Sequence, residues 1–308
     1  MLKYFCFLLI LMFVACKHEP KNNNDNNNND FKYKNLTSKI KENESTIKDL
    51  NCDFNTVKNY LSNLSLQSIS SIPIAEKAVT KCISNLDSTK KDELYVVFNT
   101  LIEKVTENIS DSLEIKYDSI INKLYENIDD AEIKEFKKCL DLCNLQLTAS
   151  EGIFYIEPKY DYCYNLFKNK VSKGLEEYLR ILSVDKNEQF NEDAELLVNF
   201  DEVYRRLTIW EDFITKYPRF ILKKDANSNL NFYFSIFLTG EENTPVFDYE
   251  TQILLPEVKA LYEKIIAKNE NRRTTKIISE YFNFLKAAKF KQPDNINDFL
   301  KKKGIETD

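Results

Sequence analysis

The amino-acid sequence predicts a mainly α-helical protein, either a multi-helix bundle or a short α-solenoid of helical hairpins. Glycine is scarce, with 4 residues in 308, and proline contributes only 7. Sheet proteins use glycine in turns and bulges, so this scarcity favours helices joined by polar loops. Apolar residues also recur every three or four positions along most of the chain, which is the spacing of one helix face. The 21 Phe and 17 Tyr can supply a sizeable core.

Seven apolar stripes at helical spacing define the predicted helices. Each stripe covers one face of a helix and must be buried against a neighbour, so together they predict a packed helical body. The stripes occupy residues 98–105, 117–128, 136–147, 160–182, 197–217, 254–265 and 277–285. Residues 230–238 form a mostly apolar run that lacks alternation, and it predicts a further buried helix. Residues 152–157 are the exception, since this short apolar segment predicts at most one short strand or an extended link.

A change in composition near residues 148–152 predicts a boundary within the helical body. It separates an N-terminal helical region, residues 36–148, from a C-terminal region, residues 149–308, that is richer in aromatic residues. The boundary lacks the composition of a flexible linker, so we expect the two regions to pack together.

The N-terminal residues carry a targeting pattern. Lys3 precedes an almost unbroken apolar run over residues 5–14, which can enter a bilayer but is too short to span one stably. The run ends in Phe13-Val14-Ala15-Cys16, a segment that resembles the lipobox of bacterial lipoproteins. The resemblance implies cleavage before Cys16 and acylation of its sulfur with chains such as palmitate. Residues 1–15 are then a signal peptide, and Cys16 anchors the protein to a membrane.

The segment that follows Cys16 indicates a location and a spacer. Residues 16–21 resemble the start of mature lipoproteins from the Bacteroidota or the spirochaetes, and Lys17 is not the aspartate that retains such proteins at the inner membrane of enteric bacteria. This resemblance implies a lipid-anchored protein of the cell envelope, with the outer membrane favoured. Residues 22–30 are all asparagine and aspartate. They cannot bury enough apolar surface to offset ordering, so residues 16–35 are predicted to be a disordered tether.

The composition excludes several classes of function. The single histidine, His18, lies in the tether, so the folded body cannot use Ser-His-Asp or Cys-His catalysis or histidine-ligated metals. No phosphate-binding glycine loop is present. The net charge is −6 with interleaved signs, which argues against nucleic acid as a partner. The sequence therefore predicts no catalytic residue, no metal site and no cofactor.

Five cysteines remain in the body, and their state is open at this stage. An exported protein can form disulfides, and an odd number leaves at least one thiol unpaired. A disulfide between two neighbouring helices, buried free thiols and a three-thiolate metal site are the alternatives. The residues are Cys52, Cys82, Cys139, Cys143 and Cys163.

The best candidate for a recognition element is the loop over residues 239–248, with Gly240, Asn243 and Asp248 as its candidate residues. It joins a glycine, a proline and three acids between two apolar runs, and loops often carry binding residues. The alternative is a helix end at Gly240 followed by a simple turn. A tyrosine cluster around Pro158 is a second candidate surface or a part of the core.

Paired carboxylates offer the only catalytic alternative. A glycan-cleaving hydrolase needs two of them facing each other across a cleft, whereas a solvated helix face or a helix start is the better explanation of such pairs. The pairs are Glu176-Glu177, Glu192-Asp193, Asp201-Glu202 and Glu211-Asp212.

The segment over residues 210–218 resembles the end of a helical hairpin of the tetratricopeptide kind. Trp210, Phe213 and the Tyr217-Pro218 pair carry this resemblance, which implies that one helix ends here and the next begins. Taken together, the sequence predicts a non-catalytic, lipid-anchored envelope protein that binds or scaffolds a protein or glycan partner. A carboxylate-dependent envelope enzyme is the main alternative, and a solute- or glycan-binding protein that feeds a transporter is the other.

Overall fold

The computed structural model describes residues 31–150 and 152–305, and it confirms the predicted mainly α-helical class. The helices are α1 Tyr33–Glu42, α2 Glu44–Asp49, α3 Phe54–Ser62, α4 Ser71–Cys82, α5 Ser88–Lys116, α6 Asp118–Tyr125, α7 Ala131–Leu142, α8 Tyr162–Phe167, α9 Lys173–Asn187, α10 Phe200–Lys216, α11 Lys223–Thr239, α12 Pro256–Lys268, α13 Arg273–Ala287 and α14 Ile296–Lys302, with a short 3-10 helix at Ile83–Asn85. The strands are β1 Leu145–Ser150, β2 Ile153–Pro158, β3 Asn191–Glu192 and β4 Glu195–Leu196.

Polar side chains begin several of these helices. The residues that precede α3, α5, α7, α9 and α10 each accept a hydrogen bond from a first-turn backbone N–H, and they are Asp53, Asp87, Asp130, Ser172 and Asn199. First-turn N–H groups have no partner inside the helix, so these caps fix where each helix starts. Helix α10 ends at Lys216, close to Pro218, and the chain then turns into α11. The mostly apolar run over residues 230–238 lies within α11, as predicted.

The prediction of a helix over residues 136–147 was wrong at its C-terminal end. Helix α7 stops at Leu142, and Leu147 lies in strand β1, opposite Ile156. The turn is made by Asn144, which has a φ of 55°. Asparagine tolerates this left-handed conformation better than most residues, so it ends the helix and redirects the chain.

The long stripe over residues 160–182 is divided between α8 and α9. Asn169 has a φ of 63° and interrupts the helical path. Ser172 then starts α9, because its hydroxyl accepts a hydrogen bond from the N–H of Leu175 at 3.2 Å. Both helices bury an apolar face, and their apolar residues happen to continue at helical spacing across the turn. The spacing alone therefore does not reveal the break between α8 and α9.

The strand predicted near residues 152–157 is β2, and it forms an antiparallel hairpin with β1. The register pairs Leu145 with Pro158 and Ser150 with Ile153. The outer edge of β2 faces α5, where the N–H of Ile156 donates to the Ser110 hydroxyl at 2.9 Å. This contact covers a strand edge that would otherwise be open to pairing with another chain. A second, two-residue pair, β3 with β4, was not predicted.

The buried apolar residues form one continuous cluster from Phe31 to Ile305. Helix α5, 29 residues long, packs against α3, α4, α6 and β2. In the C-terminal half, α10 packs against α11 and α13, and α12 packs against α13. The rings of Tyr95 and Phe167 lie 5.2 Å apart across the predicted boundary. The division into two regions stays a prediction, and its proposed position coincides with the turn of the β1–β2 hairpin.

The first helix begins at Tyr33, so residues 33–35 of the predicted tether are helical. Phe31 is buried, with its ring 4.8 Å from that of Tyr117 and 4.6 Å from that of Phe136. The rest of the tether, the signal segment and Cys16 lie outside the described residues. Across residues 31–150 and 152–305, every helix is too short or too polar to cross a membrane.

Candidate functional site

The predicted recognition loop begins at Gly240, where helix α11 ends. Gly240 has a φ of 77°, and a Cβ at this position would lie 2.6 Å from the carbonyl oxygen of Thr244. Only glycine fits both the left-handed backbone and this close approach. Gly240 also forms an antiparallel bridge with Pro245, so the loop closes on itself. The conformation of the loop is therefore fixed by its own backbone.

The loop is held against the β3–β4 pair. The backbone N–H of Asn243 donates to the carbonyl of Ala194 at 2.9 Å, and its side-chain amide donates to the carbonyl of Asp193 at 2.7 Å. The N–H of Leu196 donates in return to the Thr244 hydroxyl at 2.9 Å. Two segments about 50 residues apart thus form one double-hairpin surface, which we define as residues 191–197 and 240–249 together with Phe232.

The turn of β3–β4 uses an uncommon sequence. Asp193 and Ala194 both have positive φ, 48° and 54°. Two-residue hairpin turns need this conformation and prefer Asn-Gly or Asp-Gly, so an Asp-Ala pair gives little sequence signal. The contacts from Asn243 offset part of the cost of placing alanine there. The sequence pattern predicts Asp193 only as half of a carboxylate pair, and it does not predict the β3–β4 hairpin.

Asp248, the third candidate residue of the loop, serves the turn that follows. One of its oxygens accepts hydrogen bonds from the N–H and the hydroxyl of Thr251, at 2.8 Å and 2.7 Å. These bonds hold the pKa of the Asp248 carboxyl below its usual value. The turn presents the ring of Tyr249, which is 66% exposed and whose hydroxyl donates to the carbonyl of Glu242. An exposed aromatic ring fixed at its polar end is well suited to contact a partner.

Apolar side chains are exposed on the same surface. Phe232 is 46% exposed, and its ring lies 5.9 Å from the buried ring of Phe190. Leu197 is also exposed, and its N–H donates to the carbonyl of Phe190 at 3.0 Å. The double-hairpin surface thus presents two large apolar side chains, Leu197 and Phe232, besides the ring of Tyr249.

A buried guanidinium group supports this surface from beneath. Arg206 is 1% exposed and donates to the backbone carbonyls of Asp185 and Glu188, at 3.2 Å and 3.1 Å. Its Nε donates to Glu202 at 2.8 Å, and the guanidinium lies 5.3 Å from the ring centre of Phe190. The last carbonyls of a helix lack partners inside it. Arg206 therefore fixes the end of α9 and the start of the segment that leads to β3.

The carboxylate of Asp185 belongs to the same buried cluster. It accepts hydrogen bonds from the Trp210 indole and the Tyr233 hydroxyl, both at 3.1 Å. Burial raises the pKa of Asp185, although the nearby Arg206 opposes that shift. The polar groups of the cluster bind one another, so we assign the cluster a structural role.

The structure places the five cysteines in two groups. Cys52 and Cys82 form a disulfide that joins the segment before α3 to the end of α4. Cys139, Cys143 and Cys163 are free thiols, and burial raises their pKa values, to about 11 for Cys139 and about 12 for Cys163. Such thiols stay protonated and unreactive at neutral pH. Within residues 31–150 and 152–305, histidine, cysteine and carboxylate side chains form no cluster suited to a metal ion.

The tyrosines around Pro158 form part of the packed body. Tyr162 is buried, and its hydroxyl donates to Glu76 at 2.8 Å. The Tyr160 hydroxyl donates at 2.9 Å to Glu157, which also accepts from Thr148 at 2.6 Å. Burial, together with this carboxylate, raises the pKa of Tyr160 to about 12. These hydrogen bonds connect the β1–β2 hairpin to the start of α8. They occupy the hydroxyls of Tyr160 and Tyr162, so we assign these two tyrosines to the packed body.

Three of the four carboxylate pairs contain side chains that join helices. Glu177 pairs with Lys216 at 2.6 Å, and Asp201 pairs with Lys264 at 3.1 Å. The carboxylate of Glu211 faces the start of α13, where its two oxygens lie 3.3 Å from the N–H of Thr274. These contacts give Glu177, Asp201 and Glu211 structural roles, so a catalytic role is not needed to explain them.

Two cavities flank Glu211, and sequence reasoning did not predict them. The first is about 350 Å³, lies between α10, α11 and the start of α13, and is lined in part by Thr215, Asn231 and Arg273. The second is about 420 Å³ and is lined in part by Asp212 and Arg272, which form an ion pair. Glu211 itself is only 8% exposed. The residues come from helices far apart in the sequence, so no local motif marks these cavities.

The described residues thus form a mainly α-helical fold that carries the double-hairpin surface and the two cavities beside Glu211. Comparison with known proteins gives no match, whether to family models, curated sequences or solved structures.

Proposed function

We propose that this protein is a lipid-anchored component of the cell envelope that binds or scaffolds a protein or glycan partner without catalysis. The observation that carries the anchoring proposal is the N-terminal pattern of Lys3, the apolar run over residues 5–14 and Cys16. Two or more acyl chains make anchoring durable, whereas one chain binds a membrane only marginally. The outer membrane is the proposed site, because Lys17 follows Cys16.

Replacing the acylated cysteine tests the anchoring proposal. The Cys16→Ala variant should move from the detergent phase to the aqueous phase on Triton X-114 partitioning, and its mass should lack the acyl chains. The Cys6→Ala variant is the matched control, since Cys6 lies in the segment that cleavage removes, and it should partition like the parent. A Cys16→Ala protein that keeps the parent's mass and detergent partitioning would disprove lipid attachment at this residue.

The double-hairpin surface supports the binding part of the proposal. Its loop is pinned to β3–β4 by Asn243, so its exposed side chains are held in place before a partner arrives. Pre-organised aromatic and apolar side chains contribute most of the binding energy at typical interfaces. Tyr249 and Phe232 are the residues that we propose for partner contact.

Site-specific photo-cross-linking tests that surface. The photoreactive residue p-benzoyl-phenylalanine at position 249 should give an adduct of defined mass in intact cells, and the adduct should show whether the partner is protein or glycan. The control places the same residue at position 115, where Ile115 is 82% exposed on α5. If both positions give the same adducts, or position 249 gives none, the double-hairpin surface is not the binding site.

A further inference from the structure

The first cavity beside Glu211 has the size of a small-molecule site. Its volume of about 350 Å³ lies near the lower end of the range of roughly 300–1,000 Å³ that ligand pockets occupy. Ile214 and Leu230 give it an apolar wall, and Thr215, Asn231 and Arg273 give it polar groups. None of its lining residues belongs to the double-hairpin surface, so it indicates a second binding activity besides the partner binding proposed above.

Arg273 provides a positioned positive charge at this cavity. Its Nη2 donates to the carbonyl of Lys303 at 3.0 Å, and its guanidinium lies 5.3 Å from the ring centre of the buried Phe234. Throughout the described part of the chain, no carboxylate forms an ion pair with it. The adjacent Arg272, in contrast, pairs with Asp212 and Glu270. Arg273 therefore keeps N–H donors for a ligand, and a carboxylate is a group that a guanidinium binds through charge-assisted hydrogen bonds.

Glu211 is the acidic residue that lines the cavity, and within the described residues it forms no ion pair with Arg273. Its oxygens lie against the N–H of Thr274, and one of them accepts the Thr274 hydroxyl. The positive end of helix α13 offsets its negative charge at this position. The Glu211 carboxylate is thus already bound by the start of α13, and Arg273 is the charged group of the lining that is left for a ligand carboxylate.

Three uncharged polar side chains line the cavity, those of Thr215, Asn227 and Asn231. The amide of Asn227 donates to the carbonyl of Lys223 at 2.8 Å. Neither the amide of Asn231 nor the hydroxyl of Thr215 hydrogen bonds to another residue within the described ranges. A carboxamide offers both donors and an acceptor, and a hydroxyl offers one donor with two acceptor positions. Such groups match a ligand that carries several hydroxyls, because each ligand hydroxyl can donate and accept in turn.

We propose that this cavity binds a small hydroxylated carboxylic acid of the sugar-acid type. Its carboxylate pairs with Arg273, its hydroxyls hydrogen bond to Asn231 and Thr215, and its C–H face lies on Ile214 and Leu230. A free sugar acid and an acidic residue at the end of a glycan share this chemistry. The small volume favours the free acid.

The test is ligand titration of the full-length protein in detergent micelles, followed by saturation-transfer NMR. D-glucuronate should bind saturably, and the uncharged D-glucose should bind at least about tenfold more weakly, since it lacks the charge-assisted pair. Acetate, which has the charge without hydroxyls, should also bind more weakly than glucuronate. A disaccharide that ends in glucuronate distinguishes the glycan end from the free acid, and we expect it to bind less well.

Variants assign the binding to the cavity. Arg273→Gln should weaken glucuronate binding about tenfold or more, whereas Arg180→Gln, at an exposed arginine of α9, should leave it unchanged. Asn231→Asp adds a negative charge to the lining and should also abolish binding, which gives a second readout if Arg273→Gln fails to fold. Equal binding of glucuronate, glucose and acetate, or equal effects of Arg273→Gln and Arg180→Gln, would overturn the proposal.

Discussion

At the scale of single residues, Arg206 is a buried charged side chain that several partners hold in place. A guanidinium that is 1% exposed is costly to bury unless carboxylates and carbonyls surround it, and here Glu202, Asp185 and two backbone carbonyls do so. The cluster connects α9, α10 and the segment that leads to β3. Its energetic importance can be measured because Arg205, the next residue, contacts the same Glu202 from an exposed position.

Arg206→Met should destabilise the protein by about 3–5 kcal/mol, because it leaves the buried Asp185 without its cationic partner. Arg205→Met removes an exposed pair and should cost less than about 1 kcal/mol. Urea unfolding followed by Trp210 fluorescence gives both free energies of unfolding. If the two variants lose similar free energies of unfolding, the contacts of the buried Arg206 stabilise the protein no more than those of the exposed Arg205.

The protonation of Glu202 makes the stability that this cluster contributes depend on pH. The hydrogen bond from Arg205, with further contributions from Arg206, holds the pKa of Glu202 below its ordinary value. The unfolded chain therefore takes up a proton at this residue at a higher pH than the folded chain does. The stability that Glu202 contributes is present above its ordinary pKa and is lost as the pH falls through its lowered pKa in the folded protein.

The Glu202→Gln variant should accordingly melt at a lower temperature than the parent at pH 7, and this difference should shrink as the pH falls to about 3. Glu263→Gln is the control, since Glu263 is exposed on α12, and it should melt like the parent at both pH values. Thermal melts followed by circular dichroism provide the measurement. A Glu202→Gln deficit that is as large in acid as at neutral pH would show that the effect is not electrostatic.

At the scale of elements, helices could be predicted where one stripe matched one helix. The stripe over residues 98–105 lies in α5, and that over 277–285 lies in α13, because spacing of three and four residues reports a buried helix face directly. The pattern failed at Leu147. A single apolar residue at the right spacing cannot show that Asn144 has already left the helix, and the strand that follows is stabilised by Ile156, a later part of the chain.

The candidate sites were less predictable than the helices. The loop at Gly240 was identified from its composition, but its hydrogen bonds go to Asp193 and Ala194, about 50 residues earlier. The cavity beside Glu211 depends on Thr274 and Arg273, which belong to another helix. Contacts between distant segments leave no periodic trace in a sequence. Only the geometry of the folded chain brings such residues together.

At the scale of the whole molecule, contacts cross the boundary predicted near residue 148. Ser172, which begins α9, donates its N–H and its hydroxyl to the two oxygens of Asp92 on α5, at 2.9 Å and 2.6 Å. The Tyr162 hydroxyl reaches Glu76 of α4. Together with the continuous apolar cluster, these bonds make the stability of each region depend on the other.

Urea unfolding should therefore be a single transition. The only tryptophan, Trp210, reports the C-terminal region, whereas far-ultraviolet circular dichroism reports both regions, so the two curves should coincide. Ser172→Ala removes a helix cap and the contact with Asp92, and it should destabilise both curves equally, by about 1–2 kcal/mol. Ser228→Ala, at an exposed position of α11, should change neither curve. A circular dichroism curve with two steps, only one of which follows Trp210, would establish instead that the regions before and after residue 148 are independent domains.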